Sequence, residues 1–86
     1  MTRETAESRI KRLKMRSMRR GIKEMDIILS AYADAHLAQM SEADITLYDA
    51  LLNENDQDLY SWVTGQTQPP ARFAPLLSEI AQTFQK

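Results

Sequence analysis

Apolar positions recur along this chain at helical spacing in successive stretches, each bounded by residues that start or stop helices. The clearest stretch runs through Ile22, Met25, Leu29, Tyr32, Ala33 and His36, with Ile28 and Ala35 widening the stripe. It predicts a helix that ends near Leu37. Ser41 followed by Glu42 and Asp44 reads as an N-cap with acids in the first turn. The helix it opens carries Ile45, Tyr48, Leu51 and Leu52. Asn53 to Asn55 then forms a turn. Asn55 or Asp56 caps a short fourth helix that turns Leu59, Trp62 and Val63 inward. Gly65 is expected at the C′ position that ends this helix. Pro69 and Pro70 exclude helix from the loop that follows. A last amphipathic stretch places Phe73, Leu76, Leu77, Ile80 and Phe84 on one face. Pro75 should lie in its first turn, where a missing N–H costs little.

The stretch before Gly21 is different. Ala6 to Met18 is helical in composition, but only Ile10, Leu13 and Ser17 share a side, flanked by Lys14 and Met18. A helix that is basic nearly all round should pack weakly and fray at its N-terminal end. Gly21 punctuates the chain after it. As the N-cap of the next helix, Gly21 would put Glu24 at N3, where a carboxylate favours the helix N-terminus.

These elements make an all-α fold, a compact bundle of five short helices. Two glycines, three prolines and few β-branched residues agree with it. Eighty-six residues make one domain, 1–86, in which 1–15 belongs to the frayed basic helix. The expected core is Met25, Leu29, Tyr32, Tyr48, Leu51, Leu52, Leu59, Trp62, Leu76, Leu77 and Ile80. Many of these are large, which helps a small domain bury enough area at ~25 cal/mol per Å².

Charge changes the picture. Through Glu24 the chain has nine lysines and arginines against three acids, a net of +6. From Met25 onward two basic residues stand against nine acids, a net of −7. The formal net of −1 therefore conceals a basic lobe beside an acidic body, with Arg20-Gly21-Ile22-Lys23-Glu24 at the seam. Such a molecule is built to dock.

Composition narrows the chemistry. The chain has no cysteine, which excludes disulfides, thiolate metal sites and cysteine nucleophiles. It has a single histidine, His36, so a multi-histidine metal site is impossible. His36 falls at a core-flanking position near a helix C-terminus and reads as structural. No hydrolytic triad, phosphate loop or metal box is present, which argues against an enzyme. No apolar run approaches the roughly 20 residues that span a bilayer. The first residues lack an apolar signal core, and Glu4 and Glu7 argue against an Arg-rich organelle presequence. A mature cytosolic protein is expected.

The seam has two readings. Arg20 and Glu24 are spaced i,i+4 and could form a solvated pair on one continuous helix. They could equally form a clamp. Arg20 would then fork onto a partner carboxylate or carbonyl, Gly21 would admit a partner backbone, and Glu24 would accept from a partner donor. The basic segment has a rival role as a nucleic-acid arm. Arg3, Arg9, Lys11, Arg12, Lys14, Arg16, Arg19 and Arg20 could neutralise phosphates. The acidic body, the pI near 5.7 and the lack of a base-reading helix pattern weigh against it. Tyr60 lies on a face next to that of Trp62 and is a candidate contact residue. Met15, Met18, Met25 and Met40 read as gap fillers, with Met18 beside the seam available for docking.

Arg19-Arg20-Gly21-Ile22-Lys23-Glu24-Met25-Asp26-Ile27-Ile28-Leu29 resembles the signature of the succinate dehydrogenase flavinylation assembly factors. The resemblance continues through His36-Leu37, Leu47 to Glu54 and Asp58 to Val63, and covers roughly Arg16 to Ile80. It implies a five-helix fold and a role as a non-catalytic assembly factor. Family members bind the flavoprotein subunit of succinate dehydrogenase and, in some bacteria, that of fumarate reductase. They promote covalent attachment of FAD to a histidine of that subunit. Arg20, Gly21 and Glu24 match the family's Arg-Gly-x-x-Glu motif, its flavoprotein-binding element. Arg16, Arg19, Met25, Asp58 and Tyr60 complete the expected contact surface. Tyr48 stands where many members have Phe, and Met18 where relatives often have an aromatic residue. FAD is then the client's cofactor, with none held stably by this chain, which should be a monomer or weak dimer. The expected place is a bacterial cytoplasm, or the mitochondrial matrix in a eukaryote. The competing reading is an antitoxin-like regulator or a small nucleic-acid-binding protein.

Overall fold

Three helices begin where a short polar side chain can take a backbone N–H. In the computed structural model, which describes residues 5–18 and 20–84, Thr5 caps α1 (Ala6–Ser17) by accepting from the Ser8 N–H at 3.0 Å. Ser41 caps α3 (Glu42–Leu51) by accepting from Asp44 at 3.2 Å. Asn55 caps α4 (Asp56–Val63) by accepting from Gln57 at 2.7 Å. α2 spans Lys23–His36 and runs into a 3-10 turn, Leu37–Gln39; α5 spans Ala74–Phe84. No strand occurs among the described residues. The expectations for Arg3, Arg19 and the Phe84 side chain lie outside the described residues.

α4 ends as its sequence requires. Thr64 is the C-cap, and Gly65 follows at φ 82°. The Gly65 N–H reaches the Trp62 carbonyl at 3.3 Å and the Gln66 N–H reaches Ser61 at 2.8 Å. This is the paired bonding of a Schellman stop, which needs a left-handed residue at that point.

α2 is the central element and packs against α1, α4 and α5. Met25, Ile28, Leu29, Tyr32 and Ala33 line its buried side. Ile45, Tyr48, Leu51 and Leu52 meet them from α3, Leu59 and Val63 from α4, and Leu76, Leu77 and Ile80 from α5. Ala35, expected to widen the α2 stripe, is exposed. Trp62 departs from expectation, because it is half-buried at the rim of the core. On so short a helix Leu59 and Val63, at i and i+4, take the buried stripe. Trp62 instead tilts against Phe73, with ring centroids 6.4 Å apart, and Phe73 fills the core.

The larger correction concerns α1, which is firmly held rather than weakly packed. Leu13 and Ser17 are both 0 % exposed. The Ser17 hydroxyl donates to the Leu13 carbonyl at 2.8 Å and lies 2.6 Å from the Tyr48 hydroxyl. Burial pushes the Tyr48 hydroxyl pKa up to about 12, against the opposing pull of Ser17, Arg20 and Arg16. Polar contacts carry the rest of the anchoring. Arg9, Arg12 and Arg16 recur at helical spacing on α1 and face Glu42, Thr46, Asp49 and Asn53, which recur likewise along α3 and its end. Arg9 donates to Thr46 at 3.0 Å, Arg12 to Asp49 at 3.3 Å, and Arg16 to Asn53 at 2.7 Å and to Asp49. Partial burial raises the Asp49 pKa, but hydrogen bonds and charge from Arg12 and Arg16 outweigh it and hold this carboxyl below its ordinary value. Arg9, Arg12 and Arg16 of the basic lobe thus fold back onto the acidic body.

Candidate functional site

The seam between α1 and α2 is built around one carboxylate, Asp56, the first residue of α4. Its Oδ1 accepts from Arg20 Nε at 2.7 Å and pairs with Nη2 at 2.6 Å. Arg20 Nη1 donates to the Arg16 and Leu52 carbonyls, each at 3.2 Å, and Nη2 to the Glu54 carbonyl at 3.4 Å. A guanidinium has five N–H groups. Four hydrogen bonds and the ion pair engage all three nitrogens of this group within the molecule. Leu52 and Glu54 lie at the carbonyl-rich end of α3, where a cation is favoured. Asp56 sits at the amide-rich start of α4, where an anion is favoured. Arg20 and Asp56 therefore tie together the α1–α2 linker, the end of α3 and the start of α4. The two side chains are 11 % and 18 % exposed.

Gly21 belongs to the same staple. Its N–H donates to Asp56 Oδ2. A Cβ on Gly21 would stand 3.0 Å from that oxygen, closer than ordinary contact. Arg20 holds the carboxylate and limits its retreat. The missing side chain thus makes room for the protein's own Asp56.

Gly21 is not the N-cap of α2. That position falls to Ile22, which makes no side-chain capping bond, and Glu24 accordingly stands at N2 rather than N3. The i,i+4 pairing of Arg20 with Glu24 does not form, because the chain is not helical from 20 to 22. Glu24 is exposed and has no hydrogen-bond or ion-pair partner among the described residues.

Exposed apolar side chains stand on either side of the seam in sequence. Met18 is 49 % exposed and Ile27 56 %. The Ser30 hydroxyl meets the Ser17 carbonyl at 3.3 Å where α1 and α2 touch. Met18, next after Ser17, and Ile27, one turn before Ser30, flank that contact. Met15, on α1, is 65 % exposed. Large apolar side chains so exposed mark contact surfaces when they cluster.

The other expected contact residues divide. Met25 is fully buried, so its side chain belongs to the core and is not available to a partner at the surface. Arg16 is engaged with Asp49 and Asn53. Asp58 is exposed in the first turn of α4, and Tyr60 is half-buried against the core. Arg19 is outside the described residues. Met15 and Ile27 were not expected at a contact surface, and Asp56 was expected only as a cap. Their partnerships span elements and leave no periodic trace.

His36 stacks on Tyr32 with centroids 4.5 Å apart and lies 3.3 Å from the Thr83 hydroxyl. Among the described residues no group of three or more His, Asp or Glu could hold a metal ion, and no helix is long and apolar enough to cross a membrane. Arg9, Arg12, Arg16 and Arg20, offered to phosphates in the nucleic-acid reading, are turned onto the body of the protein.

Comparison with known proteins agrees with this arrangement. A model of the family described as "Flavinator of succinate dehydrogenase" matches residues 11–84. The chain is 41 % identical over 88 residues to "Succinate dehydrogenase assembly factor 2, mitochondrial" of Meyerozyma guilliermondii, covering 99 % of this chain and 64 % of that protein. The protein of that name in Candida glabrata is 46 % identical over 85 residues, covering 95 % of this chain and 54 % of that protein. The one in Saccharomyces cerevisiae is 43 % identical over 63 residues, covering 73 % and 39 %. The chain thus spans less than two thirds of the length of these curated relatives. With a match of this extent on this fold, the chain belongs to the family described as flavinator of succinate dehydrogenase.

Proposed function

We propose that this protein binds the flavoprotein subunit of succinate dehydrogenase and promotes covalent attachment of FAD to a histidine of that subunit. Family membership supports the client and the task. The observation that supports the surface is the exposed Glu24 carboxylate, unpartnered among the described residues and about one helical turn from exposed Ile27. A carboxylate near an exposed apolar side chain suits a partner donor that becomes desolvated on docking.

The client's histidine and its FAD would supply the bond-forming chemistry: the 8α-methyl group would give up a proton, the histidine nitrogen would bond to that carbon, and the ring would take up the electron pair, leaving a reduced flavin for an electron acceptor to reoxidise. The cofactor carries that chemistry, and protein supplies geometry and electrostatics. This chain contributes by holding the client where flavin and histidine align. Alignment alone can lower a barrier by several kcal/mol, and by ~7–11 kcal/mol in the best cases. Its role is that of an assembly factor without catalytic groups of its own. FAD stays the client's cofactor. The fumarate reductase flavoprotein is a second client under the same proposal, and the factor works as a monomer or weak dimer. It acts where its client matures, in a bacterial cytoplasm or in the matrix of a mitochondrion, the organelle its relatives' names indicate.

The test is covalent flavin on the cognate flavoprotein, read by in-gel fluorescence after denaturation. The flavin band should grow faster with this protein present. An unchanged band rejects the proposal. The antitoxin or nucleic-acid reading gains nothing from the relatives, and four of the arginines the latter needs, Arg9, Arg12, Arg16 and Arg20, are engaged internally.

A further inference from the structure

We infer that Asp56 is a positioning residue for the docking surface, acting through Arg20 and Gly21 to set where α2 begins and so where Glu24 stands. The inference rests on the flavoprotein-docking role proposed above.

α2 starts without the usual device. Its N-cap is Ile22, which offers no side-chain acceptor. The fixed point is one residue earlier, where the Gly21 N–H is held by Asp56 Oδ2. Asp56 is fixed in turn by two nitrogens of Arg20 on Oδ1 and by its place at the start of α4. From Met25 onward α2 is secured independently, because Met25, Leu29 and Tyr32 are fully buried. Loss of the staple should therefore leave α2 in place from Met25 onward and loosen the linker and the residues before it. Glu24, the second residue of the helix, lies in that stretch.

Arg20 acts in the same way. All three of its guanidinium nitrogens are engaged inside the molecule, so a direct fork onto a partner would require dismantling the staple. We assign Arg20 to positioning and Glu24 to contact.

Asp56→Asn tests this with little change of volume. An amide group would turn a donor toward either the Gly21 N–H or the Arg20 guanidinium, so one of those bonds must fail. The chain has only two glycines, Gly21 and Gly65, which makes the glycine amide signals simple to assign. The Gly21 amide proton should move upfield and exchange faster in the variant, with Gly65 unmoved. In the same folded sample, well below its melting temperature, affinity for the flavoprotein should fall about tenfold or more, the scale of a lost charge-assisted contact. The double variant Arg20→Ala/Asp56→Ala should bind no more weakly than the worse of its two singles, because both act through one staple.

A merely stabilising role would lower the melting temperature and leave the affinity of the folded variant unchanged. That result, an unmoved Gly21 amide, or additive losses in the double variant would each overturn the inference. If the unaltered protein itself fails to bind the flavoprotein, the docking proposal falls instead.

Discussion

Arg20 and Glu24 stand four residues apart in one motif, yet their surroundings are opposite. Arg20 is 11 % exposed, with all three guanidinium nitrogens engaged across three elements of the fold. Glu24 stands in solvent on the first turn of α2, unpartnered among the described residues. Gly21, between them, serves the inner half by leaving space for Asp56. The difference shows that a short motif can carry two tasks. Its first half builds the seam, and its second half presents a charge to solvent. Loss of function on mutating either half would look alike in an activity assay. Stability separates them.

The largest effect is expected at Arg20. Arg20→Ala leaves the Asp56 carboxylate and the carbonyl end of α3 without their cation. Removing one partner of such a part-buried pair should cost about 3 kcal/mol. For a chain of this size that is roughly 12–24 °C of melting temperature, readable by circular dichroism. A melting temperature within a few degrees of the unaltered protein would show that the staple is weak. Gly21→Ala comes next. Its Cβ would meet Asp56 Oδ2 at 3.0 Å, and the strain should cost about 1 kcal/mol, whereas Gly21→Arg should cost more and also obstruct the docking surface.

A smaller effect concerns pH. The Asp49 pKa is depressed in the folded protein, so its pairing stabilises above the ordinary aspartate value of 3.8 and is lost as pH falls through the lower folded value. Acid melts should therefore show stability dropping below about pH 4, and Asp49→Asn should flatten part of that drop. An unchanged slope in the variant would mean that the α1–α3 network contributes nothing measurable, as isolated exposed pairs often do. The smallest stability effect belongs to Glu24. Glu24→Ala should change folding free energy by no more than about 0.5 kcal/mol. It should nonetheless slow flavin attachment, and that contrast with Arg20→Ala is the sharpest form of the comparison.

Much of the fold was legible because its signals are local. Ser41, Asn55 and Gly65 mark helix ends through their own backbone chemistry, and the structure has each in that role. The stripe of Met25, Leu29 and Tyr32 declares a buried face by period alone. Long-range polar contacts left no such mark. Asp56 lies 36 residues from Arg20, and nothing in the spacing of either says that they meet. The same blindness made α1 look weakly held, since its anchors are arginines whose acids lie on α3. At the site, the resemblance singled out Arg20, Gly21 and Glu24 together. Separating inner from outer required knowing which donors were already taken.

The central claim is that Glu24 serves docking and not folding. Its most direct test is the rate of covalent flavin formation on the succinate dehydrogenase flavoprotein, by in-gel fluorescence, with the unaltered protein and with Glu24→Ala at matched concentration and confirmed melting temperature. The account predicts that the unaltered protein accelerates the reaction and that a variant of equal stability does so poorly or not at all. Full acceleration by Glu24→Ala would contradict it.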